Sequence, residues 1–140
     1  MATKTYKPRK TVYETIYTRL EALGILSLIT ENKDSAKSKG GGYIDLCFDF
    51  LYVEDEGTTR ISLAHYFKQN GDLCADPDME IRIHTNGTAE ALTFQQAIPP
   101  IYQEVYPGPG KYYPKLKKDL NNFLAMWLKN CLSQGHKFTV

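Results

Sequence analysis

The sequence predicts an α+β fold: a single antiparallel four-stranded sheet, a meander, with an N-terminal and a long C-terminal helix packed on one face. Three observations predict it. Apolar residues recur every three or four positions near both ends of the chain, as on one side of a helix. Between these segments apolar and polar residues alternate, as in strands with one buried face. The dipeptide Asn86-Gly87 is typical of a tight hairpin, and short connections make neighbouring strands antiparallel.

Length and composition indicate one α+β domain, residues 11–140, preceded by a flexible basic arm, residues 1–10. The chain has 140 residues, 42% of them hydrophobic and 24% charged, which is enough to bury a core without cross-links. The arm carries four basic residues and no acid. The formal net charge of +1 is unlike the strongly acidic total of a DNA mimic or the strongly basic total of a phosphate-tracking protein.

Cysteine content and hydropathy predict a cytoplasmic protein that has no membrane partner. The cysteines are odd in number and widely spaced, so they fit neither a disulfide framework nor a paired zinc site: Cys47, Cys74 and Cys131. The N-terminus lacks the apolar segment of a signal peptide. No run reaches the roughly 18 apolar residues that a membrane helix needs.

The first helix is predicted to begin after Thr11, because Thr11 and Glu14 have the spacing of a capping box. Gly24 is suited to end it. Its apolar face is formed by residues at helical spacing: Tyr13, Ile16, Tyr17, Leu20 and Leu23. The polar segment 31–42, which ends in three glycines, is predicted to be a mobile loop.

Alternation predicts the four strands at residues 43–53, 60–67, 79–85 and 89–96. The first strand has the clearest pattern, with Asp45, Cys47 and Asp49 on the outer face. Its inner face is formed by Ile44, Leu46, Phe48 and Phe50. One face of the sheet is therefore expected to be buried, while the other meets water.

The C-terminal part is predicted to be an irregular crossing segment followed by a long helix. Residues 99–114 contain five prolines and four tyrosines, which disfavours regular structure. The helix should run from about Pro114 to Gln134, with proline at its first position and Gly135 after its end.

Residues 65–81, HYFKQNGDLCADPDMEI, concentrate one histidine, one cysteine and four acids. Their spacing matches neither a calcium loop nor a zinc site. The turn dipeptides Asn70-Gly71 and Asp76-Pro77 favour a long hairpin connection whose acids cap backbone donors. The alternative that stays open is a metal hydrolase built on His65, Asp72, Asp76 and Asp78.

The remaining candidate groups indicate a non-enzymatic protein without cofactor or metal. His65 falls on the inner face of its strand, where a histidine usually bonds to backbone groups. Cys131 lies on the apolar face of the last helix, where a thiol is unreactive. We find no nucleophile with a base and an orienting group beside it.

Charged residues suggest two candidate binding surfaces of opposite sign, a pattern that suits electrostatic docking to another macromolecule. The acidic candidates lie on the outer sheet face or its adjoining turn: Asp45, Asp49, Glu54, Asp55 and Glu56. The basic and aromatic candidates, which suit phosphate, RNA or an acidic protein, are Lys111, Tyr112, Tyr113, Lys115, Lys117 and Lys118.

Two segments resemble a family of small uncharacterised domains found in phages, plasmids and conjugative elements. The first is ISLAHYFKQNGDLCADPDMEIRI, in which a strand ending in His-Tyr leads through Gln-Asn-Gly-Asp-Leu to Asp-Pro-Asp-Met. The second is YPGPGKYYPKLKKDLNNFLAMWLKNCLSQGH. Some small proteins that resemble this family are anti-CRISPR inhibitors of the nuclease Cas9.

The resemblance implies a non-catalytic inhibitor from a mobile element, acting in the cytoplasm of a bacterial host on a defence nuclease, Cas9 or its guide-RNA complex. It assigns no contact residues. The alternative is a nucleic-acid-associated accessory protein of a mobile element that uses the basic arm and the segment 111–118. A homo-oligomer built on the tyrosine-rich segment is also compatible with the sequence.

Overall fold

The structure is a computed structural model that describes residues 10–41 and 44–140. The predicted basic arm, apart from Lys10, lies outside the described residues. In chain order the elements are α1 (Val12–Leu23), α2 (Ile25–Thr30), β1 (Ser35–Ser38), β2 (Leu46–Val53), β3 (Thr59–Gln69), β4 (Asp72–Ile83), β5 (Ala89–Ala91), β6 (Thr93–Gln96), β7 (Ile101–Glu104) and α3 (Pro114–Ser133). A 3₁₀ turn, Asp55–Gly57, connects β2 to β3.

Helix α1 begins and ends as its sequence predicts. The Thr11 side chain accepts a hydrogen bond from the Glu14 amide, and the Glu14 carboxylate accepts one from the Thr11 amide, both at 3.2 Å. Gly24 ends the helix in the left-handed region, with φ 93°. The chain then enters the short helix α2, which the sequence analysis did not predict.

The seven strands form one antiparallel sheet in the order β1-β2-β3-β4-β6-β7, with β5 also paired to β4. The antiparallel meander is therefore confirmed, but the predicted number of four strands is wrong. Strand β1 lies in the segment predicted to be a mobile loop, and β7 lies in the segment predicted to be irregular. Both have four residues and no apolar alternation, because edge strands bury little side-chain surface.

Two predicted strands have different limits. The strand predicted from residue 43 begins at Leu46, and Ile44, predicted to face inward, is 51% exposed. The strand predicted over 89–96 is divided into β5 and β6 at Leu92, whose amide donates to the Glu80 carbonyl at 2.8 Å. Both pieces pair with β4, so the division bends the strand without moving it away from its neighbour.

The predicted long connection over residues 65–81 is wrong, because most of it is strand. Pairing between β3 and β4 continues to Gln69 and Asp72, so the turn contains only Asn70 and Gly71. These two residues have φ of 52° and 86°, as in the tight turns that join twisted antiparallel strands. The acids of β4 do not cap backbone donors. Asp78, for example, accepts a hydrogen bond from a serine side chain of β3.

The helices cover one face of the sheet, as predicted, and share a single hydrophobic core with it. Fully buried members of α1 and the sheet include Ile16, Leu20, Phe48, Leu63 and Ile81. Helix α3 adds the apolar face predicted from its sequence: Leu120, Leu124, Trp127, Leu128 and Cys131. Each such large side chain contributes about 1.5–3 kcal/mol on burial, so α3 is a main anchor of the fold. No helix of the described residues is long and apolar enough to span a membrane.

Candidate functional site

The face of the sheet opposite the helices carries polar and charged side chains from three neighbouring strands. Strand register arranges its outward side chains in rows across β2, β3 and β4. The three rows are Cys47-Ala64-Asp78, Asp49-Ser62-Glu80 and Tyr52-Arg60-Arg82. We call this surface the open face. It carries mixed charge, whereas the sequence analysis placed mainly acids there.

The arginines of the open face are neutralised by neighbouring carboxylates. Arg60 pairs with Glu80 at 3.0 Å, and Arg82 pairs with Glu54 at 3.1 Å. The Arg60 guanidinium also lies over the Tyr52 ring, 5.6 Å from its centroid. These pairs are partly exposed, so each contributes at most about 1 kcal/mol. Their effect on the site is to remove free positive charge from this end of the face.

Two carboxylates of the open face have no cation beside them among the described residues, Asp49 and Asp78. Ser62 donates a hydrogen bond to Asp78 at 2.8 Å. Burial raises the pKa of Asp78, and the negative charge of Asp49 raises it further, although the Ser62 bond opposes both effects. Burial likewise raises the pKa of Asp49. The ionised form of each carboxylate is therefore less favourable here than it is in water.

A groove lies on the open face where β1, β2 and β3 approach the β3–β4 turn. It consists of two adjoining concavities of about 420 and 370 Å³. Both are lined by Lys37, Cys47, Tyr66 and Leu73, and one of them also by Asp49. Leu73 is 69% exposed at the margin. The groove therefore combines an aromatic ring, an exposed aliphatic side chain and a carboxylate.

The predicted acidic residues are divided between two places. Asp45 and Asp49 both line the groove. Glu54 lies near the far end of β2 and is already paired with an arginine of β4. Asp55 and Glu56 are exposed on the 3₁₀ turn. The structure thus brings two of the five residues together and separates them from the other three.

The predicted basic and aromatic residues remain close in sequence, but one of them differs from the rest. The exposed members are Lys111, Tyr112, Tyr113, Lys115 and Lys118. The Lys117 ammonium instead lies over three tyrosine rings, at 5.6 Å from the centroid of Tyr13, 5.5 Å from that of Tyr106 and 5.7 Å from that of Tyr112. Cation–π attraction of this kind holds a charge in place. Lys117 therefore joins α1, α3 and the segment before α3.

This lysine is continuous with a polar network at the sheet margin. Tyr106 donates a hydrogen bond to Glu90 at 2.7 Å, and the His84 ring lies 2.9 Å from the same carboxylate. Burial by itself would raise the pKa of Glu90. Hydrogen bonds from Tyr106 and His84, together with the charges of Lys117 and Arg82, outweigh burial and lower the pKa. The neighbours of Glu90 therefore stabilise its ionised form, whereas burial disfavours the ionised form of Asp49 and Asp78.

A buried polar cluster, which the sequence analysis did not assemble, lies beneath the groove. The His65 ring nitrogen Nδ1 lies 2.9 Å from the Asp45 carbonyl oxygen, which confirms the predicted backbone partner. His65 Nε2 lies 3.8 Å from the Cys131 sulfur. Ser38 Oγ lies 3.1 Å from His136 Nδ1 and accepts from the Lys137 amide at 2.9 Å.

Burial makes this cluster chemically quiet. It raises the pKa of the Cys131 thiol to about 12, which favours the protonated form, and the predicted position of Cys131 on the buried face of the helix is confirmed. Burial, with a contribution from the nearby His65, lowers the pKa of His136. The cluster ties β1, β3, the end of α3 and the C-terminal residues together.

The acids of the alternative metal site, Asp72, Asp76 and Asp78, do not converge on His65. His65 faces the core side, where its ring packs edge-on to Trp127 with centroids 5.3 Å apart. Asp72 and Asp76 are exposed on the β3–β4 hairpin, and Asp78 lies on the open face. No group of three metal-ligating side chains occurs among residues 10–41 and 44–140.

Two residues that the sequence analysis did not assign to a binding surface are Asp78, which it considered only as a metal ligand, and Tyr66. Their signal was present, because Asp78, Glu80 and Arg82 alternate with apolar residues that point into the core. The assumption of a long connection hid this alternation. Tyr66 was obscured by an irregularity in the β3–β4 register between Ala64 and Tyr66.

Comparison with known proteins gives a single result. Searches of curated proteins and of solved structures return no significant match. A family model described as "Domain of unknown function (DUF6908)" matches residues 14–137, which is most of the chain and includes the open face, α2, α3 and all but the first two residues of α1. The chain therefore belongs to the DUF6908 family of domains of unknown function.

Proposed function

We propose that this chain is a non-catalytic binding protein that docks onto a macromolecular partner through its open face. The observation that carries the proposal is the groove, in which the Asp49 carboxylate has no ion-pair partner among the described residues. A desolvated carboxylate without a partner costs stability, and a complementary partner recovers that cost on docking. Leu73 and Tyr66 add the apolar and aromatic surface that is typical of protein contacts.

In its finer form, the proposal is that the partner is a type II Cas9 effector and that the protein inhibits it for a phage or other mobile element. Support for this comes from the resemblance of residues 61–83 and 106–136 to the mobile-element family. It also comes from charge, because Cas9 holds nucleic acid in a positively charged channel that would attract Asp45 and Asp49. The binding function rests on the structure, whereas the choice of Cas9 rests on the resemblance.

The test is a pull-down and a DNA-cleavage assay with Cas9 and its guide RNA, with free RNA and DNA as separate baits. We expect stable binding to the effector, reduced cleavage and no binding to free nucleic acid. Charge reversal of Asp45 and Asp49 to lysine should abolish inhibition. The matched control reverses Asp55 and Glu56 on the exposed turn, and it should retain inhibition. Full cleavage in the presence of excess wild-type protein would contradict the Cas9 proposal.

The alternative, a nucleic-acid-associated accessory protein, is favoured by one specific observation. Tyr112 and Tyr113 are more than half exposed and stand beside the exposed lysines 111, 115 and 118. Aromatic faces next to lysines suit the bases and phosphates of single strands. This function predicts RNA or DNA binding that weakens steeply with salt. Reversal of Lys115 and Lys118 to glutamate should remove it, while reversal of Lys129, exposed farther along α3, should not.

A further inference from the structure

We infer that the groove of the open face receives an arginine side chain from a protein partner, with Asp49 and Asp78 as its counter-charges and Tyr66 as its stacking surface. The inference rests on the proposed binding function and specifies the chemistry of the contact. It applies to whichever protein carries that arginine, Cas9 or another.

The shape of the open face leaves room for such a side chain. Small residues occupy the middle of the rows, Cys47 and Ala64 in one and Ser62 in the next. The larger Tyr66 and the protruding Leu73 stand at one side. The adjoining concavities, of about 420 and 370 Å³, are open to solvent, and Asp49 lines the smaller one. Asp78 lies beside the groove, opposite Ala64 on the neighbouring strand.

The charges of the face specify a cation. The other carboxylate of the three rows, Glu80, pairs with Arg60, and Glu54 at the end of the face pairs with Arg82. The Asp78 carboxylate accepts a hydrogen bond from the Ser62 hydroxyl, and both aspartates are partly buried, which raises the pKa of each. A bound cation would offset the cost of burying the two carboxylates and would weaken the repulsion between them.

The lysines of the groove do not fulfil this role within the chain. Lys37 lies opposite Cys47 across the β1–β2 pair, and Lys68 lies beyond Tyr66 on β3. Among the described residues, neither is within ion-pair distance of Asp49 or Asp78. They instead give the outer part of the groove a positive charge, which suits an acidic residue near the arginine of the partner.

An arginine fits better than a lysine, and a protein better than a nucleic acid. A guanidinium is planar, stacks on an aromatic ring and can bond two carboxylates at once, whereas an ammonium is a point charge. Phosphates would be repelled by Asp49, which lines the groove, and by Asp78 beside it. Tyr66 is placed to supply the stacking face, because it lines both concavities of the groove. Burial raises the pKa of Tyr66, and the nearby Asp78 and Asp49 raise it further.

The experiment titrates the labelled full-length protein with an acetylated, amidated tetra-arginine peptide and follows backbone amide signals by NMR. We expect shifts centred on Asp49, Tyr66 and Asp78. The double variant Asp49→Asn/Asp78→Asn should bind about tenfold more weakly, because both counter-charges of the guanidinium are removed. Tyr66→Leu, which keeps the bulk but removes the ring, should weaken binding about threefold.

The controls separate this contact from general attraction between opposite charges. The double variant Asp55→Asn/Glu56→Gln loses the same charge at an exposed turn and should change the affinity less than about twofold. A tetra-lysine peptide should bind more weakly than tetra-arginine. Equal losses in the two double variants, equal affinity for the two peptides, or groove shifts with a short oligothymidylate would each overturn the inference.

Failure of this inference and failure of the Cas9 proposal can be told apart. If tetra-arginine binds the groove but Cas9 is not inhibited, the arginine site stands and the choice of partner is wrong. If Cas9 is inhibited equally by wild type and by Asp49→Asn/Asp78→Asn, the binding function stands and the arginine site is wrong. A melting curve for each variant establishes that it is folded before either assay.

Discussion

Asn121 links helix α3 to the sheet, and its replacement by alanine gives the sharpest test of the fold that supports the open face. The residue is fully buried. Its side-chain oxygen accepts from the Ala91 amide at 2.8 Å, and its side-chain nitrogen donates to the Lys117 carbonyl at 2.7 Å. Asn121 therefore joins the first half of α3 to β5, and the charged segment before α3 depends on this contact for its position.

The expected loss can be worked from these contacts. Asn121→Ala leaves the buried Ala91 amide without its acceptor, which costs about 1–3 kcal/mol. The vacated volume adds about 1 kcal/mol when neighbouring atoms do not fill it. The Lys117 carbonyl loses little, because the helix already supplies it with a backbone donor. Alanine favours the helix by about 0.5 kcal/mol, so the net loss is about 1.5–3.5 kcal/mol of unfolding free energy.

The assay is urea unfolding followed by circular dichroism, with Asn122→Ala as the matched control. Asn122 is exposed on the same turn of α3, so its replacement has the same helix propensity effect without the buried contact. We expect the control to be neutral or slightly more stable than wild type. Hydrogen exchange of the Ala91 amide should accelerate only in Asn121→Ala. A difference between the two variants of less than about 0.5 kcal/mol would refute the role assigned to Asn121.

Three further predictions concern titration and backbone geometry. Because burial lowers the pKa of His136 from its ordinary 6.5, the unfolded chain binds the proton more readily, and stability should fall as the pH drops below 6.5. Asp49→Asn should raise the melting temperature at pH 7, because burial raises the pKa of Asp49, and the gain should shrink towards pH 4, near its ordinary value of 3.8. Gly24→Ala should destabilise strongly, since a methyl group there would overlap the Phe138 carbonyl and φ is positive.

Each of these has its own check. Thermal unfolding between pH 7.5 and 5 should show a smaller decline for His136→Gln than for wild type, and equal declines would contradict the assignment to His136. A lower melting temperature for Asp49→Asn at pH 7 would show that the carboxylate is stabilising after all. For Gly24→Ala the control is Gly71→Ala, which also has positive φ but no atom nearby. Similar losses in both would mean that strain alone, without the overlap, explains the effect.

Local signals explain why the helices and one hairpin could be predicted from the sequence. The capping box of Thr11 and Glu14, Gly24, and Pro114 at the first position of α3 act within a few residues of one another. The Asn86-Gly87 hairpin has the same character, with a hydrogen bond from the His84 amide to the Thr88 carbonyl closing the turn. Such features can be predicted from the sequence because the interactions that stabilise them join residues close in the chain.

The edge strands and the longest hairpin could not be predicted in the same way. Strands β1 and β7 have no apolar alternation, and they form only because β2 and β6 offer unpaired backbone groups beside them. The end of the β3–β4 hairpin is exposed on both faces and rich in polar residues, so its sequence resembled that of a loop. Backbone pairing, which does not depend on side-chain pattern, decides these segments.

The sequence by itself determined the fold class, the limits of α1 and α3, the buried face of the sheet and the roles of His65 and Cys131. Only the tertiary structure decided which charges are free. Glu54 and Lys117 looked like available binding residues, but an arginine of β4 neutralises one and three tyrosine rings enclose the other. Asp49 and Asp78 come together across three strands and remain without a cation. The state of a charge depends on neighbours distant in sequence, because electrostatic energies follow distance in space and burial.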